Sequence, residues 1–216
     1  MNAKSISAGA AAIALVVALG AALGHAMDAP ADDQEAGAVT RVKGDVLAVQ
    51  DARPRVLGVG ERIFVGDVIS TGPGARLEVR MMDESVLTLG ERTSFVVVDF
   101  VFREFEANAA LRLMTGVMKA ASGKIAERAD ASFELATEFA TVGIRGTAYW
   151  AGIWDGVLNV ELLEGAGVAV ENGAGAVAIA DLHFGTRVSD SGAPPSTPEP
   201  WPADKTRRAA RSVAFD

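Results

Sequence analysis

An all-β domain is the fold class this sequence predicts, and three observations carry the expectation. Between residues 39 and 188 the apolar residues come in short runs, with glycine recurring every few residues between them. Two pairs of these runs can be folded into hairpins whose register gathers the apolar side chains on one face. No long stretch keeps apolar residues at a sustained 3.6-residue period. Many short strands of this kind stack as a solenoid-like coil or as a sandwich. The weak helical candidates are residues 104–114 and 117–128, and in the first of them Ala109, Leu111 and Leu113 also alternate as a strand would.

The ends of the chain read differently. Lys4, an uncharged apolar run over residues 5–24 and the small-residue exit Gly24-His25-Ala26 follow the order of a secretory signal peptide, predicted over residues 1–26. The other reading is an uncleaved span, since the run is long enough to cross a bilayer. Its richness in alanine and glycine favours cleavage, which leaves 190 of the 216 residues. Residues 27–38 are acidic, small and proline-containing, and read as a solvated linker. Residues 189–204 hold five prolines and read as an extended tail; Lys205, Arg207, Arg208 and Arg211 make the final segment basic. That segment is expected to be a solvated terminus rather than a dock for an acidic surface.

Export and charge narrow the chemistry. The chain has no cysteine, so neither disulfides nor thiolate catalysis is open to it. A net charge of −8 repels phosphate backbones, which sets nucleic acid aside as a partner. Contact with a membrane is expected only through a retained N-terminal segment.

The first hairpin lies in Leu77, Val79 and Met81, followed by Leu87 and Leu89. A three-residue loop over residues 83–85 would pair Met81 with Leu87 and Val79 with Leu89. All five apolar side chains then share a face. The second hairpin turns at Asp155-Gly156, a strong two-residue turn signal because both positions of a type I′ turn need positive φ. It pairs Ile153 with Leu158, Ala151 with Val160 and Tyr149 with Leu162. The opposite face holds Trp150, Gly152, Trp154, Val157, Asn159 and Glu161. Those two tryptophans are either covered by another layer or exposed to a partner, and packing beneath a neighbouring strand layer is the favoured outcome.

Just before this hairpin the apolar phase changes. Val142 and Ile144 are even-numbered, whereas Tyr149, Ala151 and Ile153 are odd. A straight strand would drive Arg145 into the core, so a bulge is predicted at Gly146. No helix follows, so the glycines of this stretch do not form an anion-binding loop.

Candidates for catalysis are few. His183 is the single histidine after the signal peptide and reads as a packed or surface residue. Asp83, Glu84, Glu161 and Glu164 lie in or beside turns, where carboxylates ordinarily face water, and no pair is singled out for glycoside hydrolysis. No metal-ligand spacing occurs, and no cofactor is expected. Neither Gly58–Ile63 nor residues 116–125 complete a nucleotide-binding motif.

Taken in order, "GDVLAV", "VGERIFVGDVISTGPGARLEVRMMDESVLTLG", "LMTGVMKA" and "FATVGIRGTAYW…LNVELLEGAGVAV" resemble the FecR domain family. The resemblance covers about residues 39–188. Its structural motif is carried by Gly66, Asp67, Asp83, Ser85, Gly143, Gly146 and Thr147, with Asp155, Gly156 and Gly165 shaping the following hairpin. Two positions depart from the family's pattern. Glu84 stands where the Asp-Gly-Ser turn usually has glycine, and Thr137-Glu138 where Thr-Pro is usual.

The resemblance implies a periplasmic module of a Gram-negative bacterium that senses or binds through contacts with an envelope protein. The best-known members regulate extracytoplasmic sigma factors through a cytoplasmic N-terminal segment. Only Met1 to Lys4 precede the apolar run here, so a stand-alone exported FecR-domain protein is expected. Placement in the inner membrane, facing the periplasm, is the alternative. Arg145, Trp150 and Trp154 are the candidate contact residues, since arginine and tryptophan are enriched at interface hot spots. A glycan-binding envelope protein is the second reading, and a carboxylate-based hydrolase the third.

Overall fold

Residues 34–144 and 146–216 are described in the structure, a computed structural model. The expected signal peptide, most of the acidic linker and Arg145 lie outside the described residues. Strand β1 (Glu35–Lys43) is followed by β2 (Val46–Gln50), β3 (Arg53–Val56), β4 (Arg62–Phe64) and β5 (Val68–Thr71). Next come β6 (Arg76–Met81), β7 (Val86–Leu89), β8 (Ser94–Phe102), β9 (Ala107–Thr115) and β10 (Val117–Ala121). A 3-10 turn at Lys124–Glu127 leads to β11 (Ser132–Ala136), β12 (Thr141–Ile144), β13 (Thr147–Trp154) and β14 (Val157–Gly165). The order closes with β15 (Val168–Asn172), β16 (Gly175–Ile179), β17 (Phe184–Val188), β18 (Glu199–Pro200) and a helix, α1 (Ala203–Ser212).

These strands make two nine-stranded sheets, so of the two expected arrangements the sandwich is the one formed. The first runs β18-β17-β14-β13-β10-β7-β6-β1-β4, and the second β16-β15-β12-β11-β9-β8-β5-β2-β3. The chain alternates between them, commonly laying down a hairpin in one sheet and then crossing to the other. Positive-φ glycines stand at these crossings, among them Gly44, Gly66, Gly116 and Gly146. One core lies between the layers. Leu77, Leu89, Met118, Tyr149 and Val160 face in from the first sheet, and Ile69, Phe95, Leu111, Val142 and Val170 from the second.

Both helical candidates are mainly strand, and the second ends in the 3-10 turn at Lys124–Glu127. Residues 107–115 are β9, with Ala109, Leu111 and Leu113 buried at a period of two, and residues 117–121 are β10. Burial of one whole side of a sheet overrode helical propensity here.

The Asp155-Gly156 hairpin has the expected register: Ile153 faces Leu158, Ala151 faces Val160 and Tyr149 faces Leu162. The first hairpin differs. Val79 pairs with Leu87 and Leu77 with Leu89, a shift of two residues that keeps the same five side chains buried. Its loop has three residues, but they are 82–84. Glu84, at φ +70°, supplies the left-handed conformation that explains the family's usual glycine there. Hydrophobic alternation constrains register only modulo two, and the turn decides the rest.

No bulge is present at Gly146. β12 belongs to the second sheet and β13 to the first, so the chain changes layers at Gly146, φ +62°, and the phase changes with the layer. The register irregularity of the β13–β14 pair falls instead between Ala148 and Tyr149, whose partners are Glu164 and Leu162.

Close by, at the crossing from β14 to β15, Gly165 has φ +100°. A Cβ there would lie 2.2 Å from the Gly146 carbonyl oxygen and 2.7 Å from the Thr147 Cα. Gly165→Ala is therefore expected to cost about 3 kcal/mol from a left-handed backbone combined with a backbone overlap. Urea denaturation measures it, and a cost below about 1 kcal/mol would show that the two crossings can part.

Candidate functional site

The motif residues are crossing and turn hardware. Asp67 is buried where β4 crosses to β5, and its Oδ2 accepts from Arg55 Nη2 at 2.5 Å and Phe64 N at 2.8 Å. Asp83 is buried in the β6–β7 loop, where its Oδ1 accepts from Ser85 Oγ at 2.6 Å and Ser85 N at 3.1 Å. Its Oδ2 reaches across to Ile125 N at 3.2 Å, tying the loop to the 3-10 turn. Above it, Glu84 and Lys124 form an exposed ion pair that pulls the Glu84 pKa down. Thr147 receives a hydrogen bond from Gly167 N at 3.3 Å and donates to Gly167 O at 2.9 Å, so it clamps the same corner that Gly146 and Gly165 occupy. Gly143 lies in β12 on the floor of a shallow groove crossed by β11, β15 and β16.

The face of β13 and β14 opposite the core carries Trp150, Trp154, Asn159 and Glu161, as alternation requires. What covers it is the C-terminal segment, expected above as a solvated tail. Trp201, Ala209 and Val213 pack with Trp150 and Val117 in a second apolar cluster, and Trp154 and Leu163 border it. The rings of Trp150 and Trp154 are 4.4 Å apart between centroids, and Trp201 meets Trp150 edge-on at 5.8 Å. Trp150 Nε1 donates to Ser212 Oγ at 3.0 Å, satisfying the indole in the apolar cluster. Trp150 is only 1% exposed, so it is not available to an external partner. The covering layer is a helix rather than the strand layer favoured from sequence. Thr206, Ala209 and Val213 show a helical 3/4 spacing that the surrounding basic residues mask.

Glu161 also departs from expectation. It is fully buried beneath α1, where its Oε1 accepts from Thr206 Oγ1 at 2.9 Å and lies 3.3 Å from His183 Nδ1. Its Oε2 has no partner among the described residues. His183, at φ +62°, is largely exposed. Both groups reach the same carboxylate oxygen, so His183 does not stand between carboxylate and hydroxyl as a proton relay requires. The trio is a polar anchor for α1.

Beside α1 lies a groove of about 740 Å³, bordered by Trp154, Asn159, Arg187, Lys205 and Arg208. Burial, then the neighbouring Arg187 charge, pushes the Lys205 pKa down. Lys205 Nζ sits 3.8 Å from the Trp201 ring centroid and the Arg208 guanidinium 4.1 Å from that of Trp154. The aromatic faces that a sugar ring would stack on are already taken by the chain's own cations.

The outer face of the second sheet has no such cover among the described residues. Pro54, Val49, Val68 and Val96 stand side by side across β3, β2, β5 and β8. Leu47 and Val56 form the next row; Val56 is 75% exposed and Leu47 42%. Val98 and Met114 are also exposed on β8 and β9, beyond Ser70, Ser94 and Arg112. Sequence inspection missed it because alternation marks the inward side chains, while these outward ones read as ordinary strand formers.

No curated protein matches the chain in sequence. Two crystal structures of a protein from Parabacteroides distasonis, described as a "putative anti-sigma factor", share its fold. Each has a TM-score of 0.52 at 15% identity and covers 65% of this chain. The chain spans 62% of that protein, just under two thirds of its length. In sequence, residues 67–166 match the family described as FecR protein. That span runs from the buried Asp67, through the Asp83 loop and the sheet crossing at Gly146, to just past Gly165. Residues 67–166 of this chain thus match the FecR family, within a larger two-sheet sandwich.

Proposed function

We propose that the chain is an exported, non-enzymatic sensing module that works in the periplasm by contact with another envelope protein. The uncovered apolar outer face of the second sheet carries this reading. The first sheet has Trp150 covered by α1, whereas Leu47, Val49, Val56, Val98 and Met114 remain at the surface. Contiguous exposed apolar residues on a folded domain mark interaction surfaces. The FecR domain supports a regulatory role in signal sensing, and the proposed export follows from the predicted signal peptide.

In-cell crosslinking from position 56, followed by mass spectrometry, is expected to capture one defined envelope protein. Combining Leu47→Glu with Val49→Glu should lower that adduct at least about tenfold, as loss of apolar hot-spot contacts does. The thermal midpoint should change little, because both side chains are exposed. Absence of the chain from the envelope fraction, or an adduct insensitive to the double substitution, would refute the reading. Retention on peptidoglycan that depends on Trp154 would favour the glycan alternative instead.

A further inference from the structure

The sandwich has four sheet edges, and three of them are blunted. β18 is two residues long and contains Pro200, while β4 has only three residues. β3 carries Pro54 between Arg53 and Arg55. Short length, proline and charge are the devices that keep an edge from pairing with another chain. The fourth edge, β16, has none of them: Gly175, Ala176, Val177, Ala178 and Ile179 make a five-residue strand without charge or proline. Among the described residues, its pairing with β15 leaves its other side without a strand neighbour. Pro194 lies against Gly175 at one end, and β17 of the first sheet also approaches the strand.

We propose that β16 pairs antiparallel with β16 of a second copy of this chain, joining the two second sheets across a two-fold axis at Val177. The hairpin dictates the register. Asn172 and Gly175 close a two-residue turn, and Val170–Val177 and Val168–Ile179 are the in-phase pairs that follow. In an antiparallel ladder the hydrogen-bonded pairs alternate, so Gly175, Val177 and Ile179 bond to β15. The N–H and C=O groups of Ala176 and Ala178 then point to the open side.

Placing the axis at Val177 sets Ala176 opposite Ala178 of the other copy, and Ala178 opposite Ala176. Both outward pairs bond reciprocally, as an isologous contact requires. Ala176 and Ala178 are small and exposed, so the outer face meets no steric obstacle. Charge agrees as well. In this register Asp181 faces Gly173 of the other copy, so a chain of net charge −8 brings no like charges together on the paired strand. A foreign strand could use the same donors and acceptors, but the self-complementary register favours a second copy.

One strand pair is small beside the standard interface of about 1,200–2,000 Å², so the association should depend on concentration. Sedimentation of the purified chain up to about 500 µM is expected to show a monomer–dimer equilibrium, in keeping with such a small contact. Ala178→Pro removes an outward N–H and spares the bonds to β15, and Ala178→Lys keeps the N–H but charges the edge. Each should weaken the dimer at least about tenfold, a typical effect of edge protection on strand pairing. Far-UV circular dichroism should be unchanged; if the proline variant misfolds, the lysine variant decides. A chain monomeric throughout that range, or a dimer equally stable in the folded variants, would overturn the proposal. So would a monomer that binds an added extended peptide at β16.

Discussion

Asp83→Ala should lower the unfolding free energy by about 3 kcal/mol or more, given roughly 1.5–3 kcal/mol for each hydrogen bond to a charged group. The carboxylate is fully buried and accepts from Ser85 Oγ, Ser85 N and Ile125 N. Alanine would leave those donors unpaired in a site closed to water, and that desolvation is the main cost. The damage should spread, because Ile125 N belongs to the 3-10 turn between β10 and β11. At Gly123 a Cβ would already meet the Asp83 carbonyl oxygen at 2.2 Å, so the turn has no room to move in and compensate. Asp83→Asn keeps an acceptor and should cost about half as much by the same reasoning. Urea titrations of the two variants measure both values. An alanine variant within about 1 kcal/mol of the parent would show that water reaches this loop.

Trp150→Ala should cost about 3–5 kcal/mol, the range for removing a buried aromatic side chain from a packed cluster. The loss should appear first in α1. Trp150 touches Trp154 and Trp201, and its indole N–H is the bond that holds Ser212. A helix of ten residues is marginal alone, so its order depends on the surface beneath it. The variant is expected to lose helical circular dichroism, and the remaining tryptophan emission should shift to the red as Trp154 and Trp201 meet water. Ser212→Ala, which removes this bond and the one that Ser212 Oγ donates to Ala209 O at 2.6 Å, should cost about 1 kcal/mol and leave the helix in place. If Trp150→Ala keeps both stability and the helix, the polar anchor at Glu161 and Thr206 holds α1 by itself.

The part of the site that could be read from sequence was the part governed by local rules. Asp155-Gly156 set the β13–β14 register because few residues tolerate two successive positive φ values, and both Asp155 and Gly156 adopt them. Trp150, Trp154, Asn159 and Glu161 share a face because side chains alternate along a strand. Which way that face looked was another matter. The layer over it comes from α1, whose Ala209 lies 59 positions beyond Trp150, and no local pattern reports a contact at that separation. Glu161 illustrates the same limit. Its place beside a hairpin suggested water, yet Thr206 and His183 enclose it from two later segments.

Sequence by itself determined the all-β class, the inward face of each recognised hairpin and the residues that carry the FecR resemblance. These follow from hydrophobic periodicity and from backbone conformations open to few residue types, both local properties. Tertiary structure alone decided that the phase change at Gly146 is a passage between sheets. It also decided that the basic tail is a helix closing over the tryptophans, and that β16 has no second strand neighbour among the described residues. Each of these depends on which distant segment removes a given surface from water, and that is settled only when the two sheets and their cover come together.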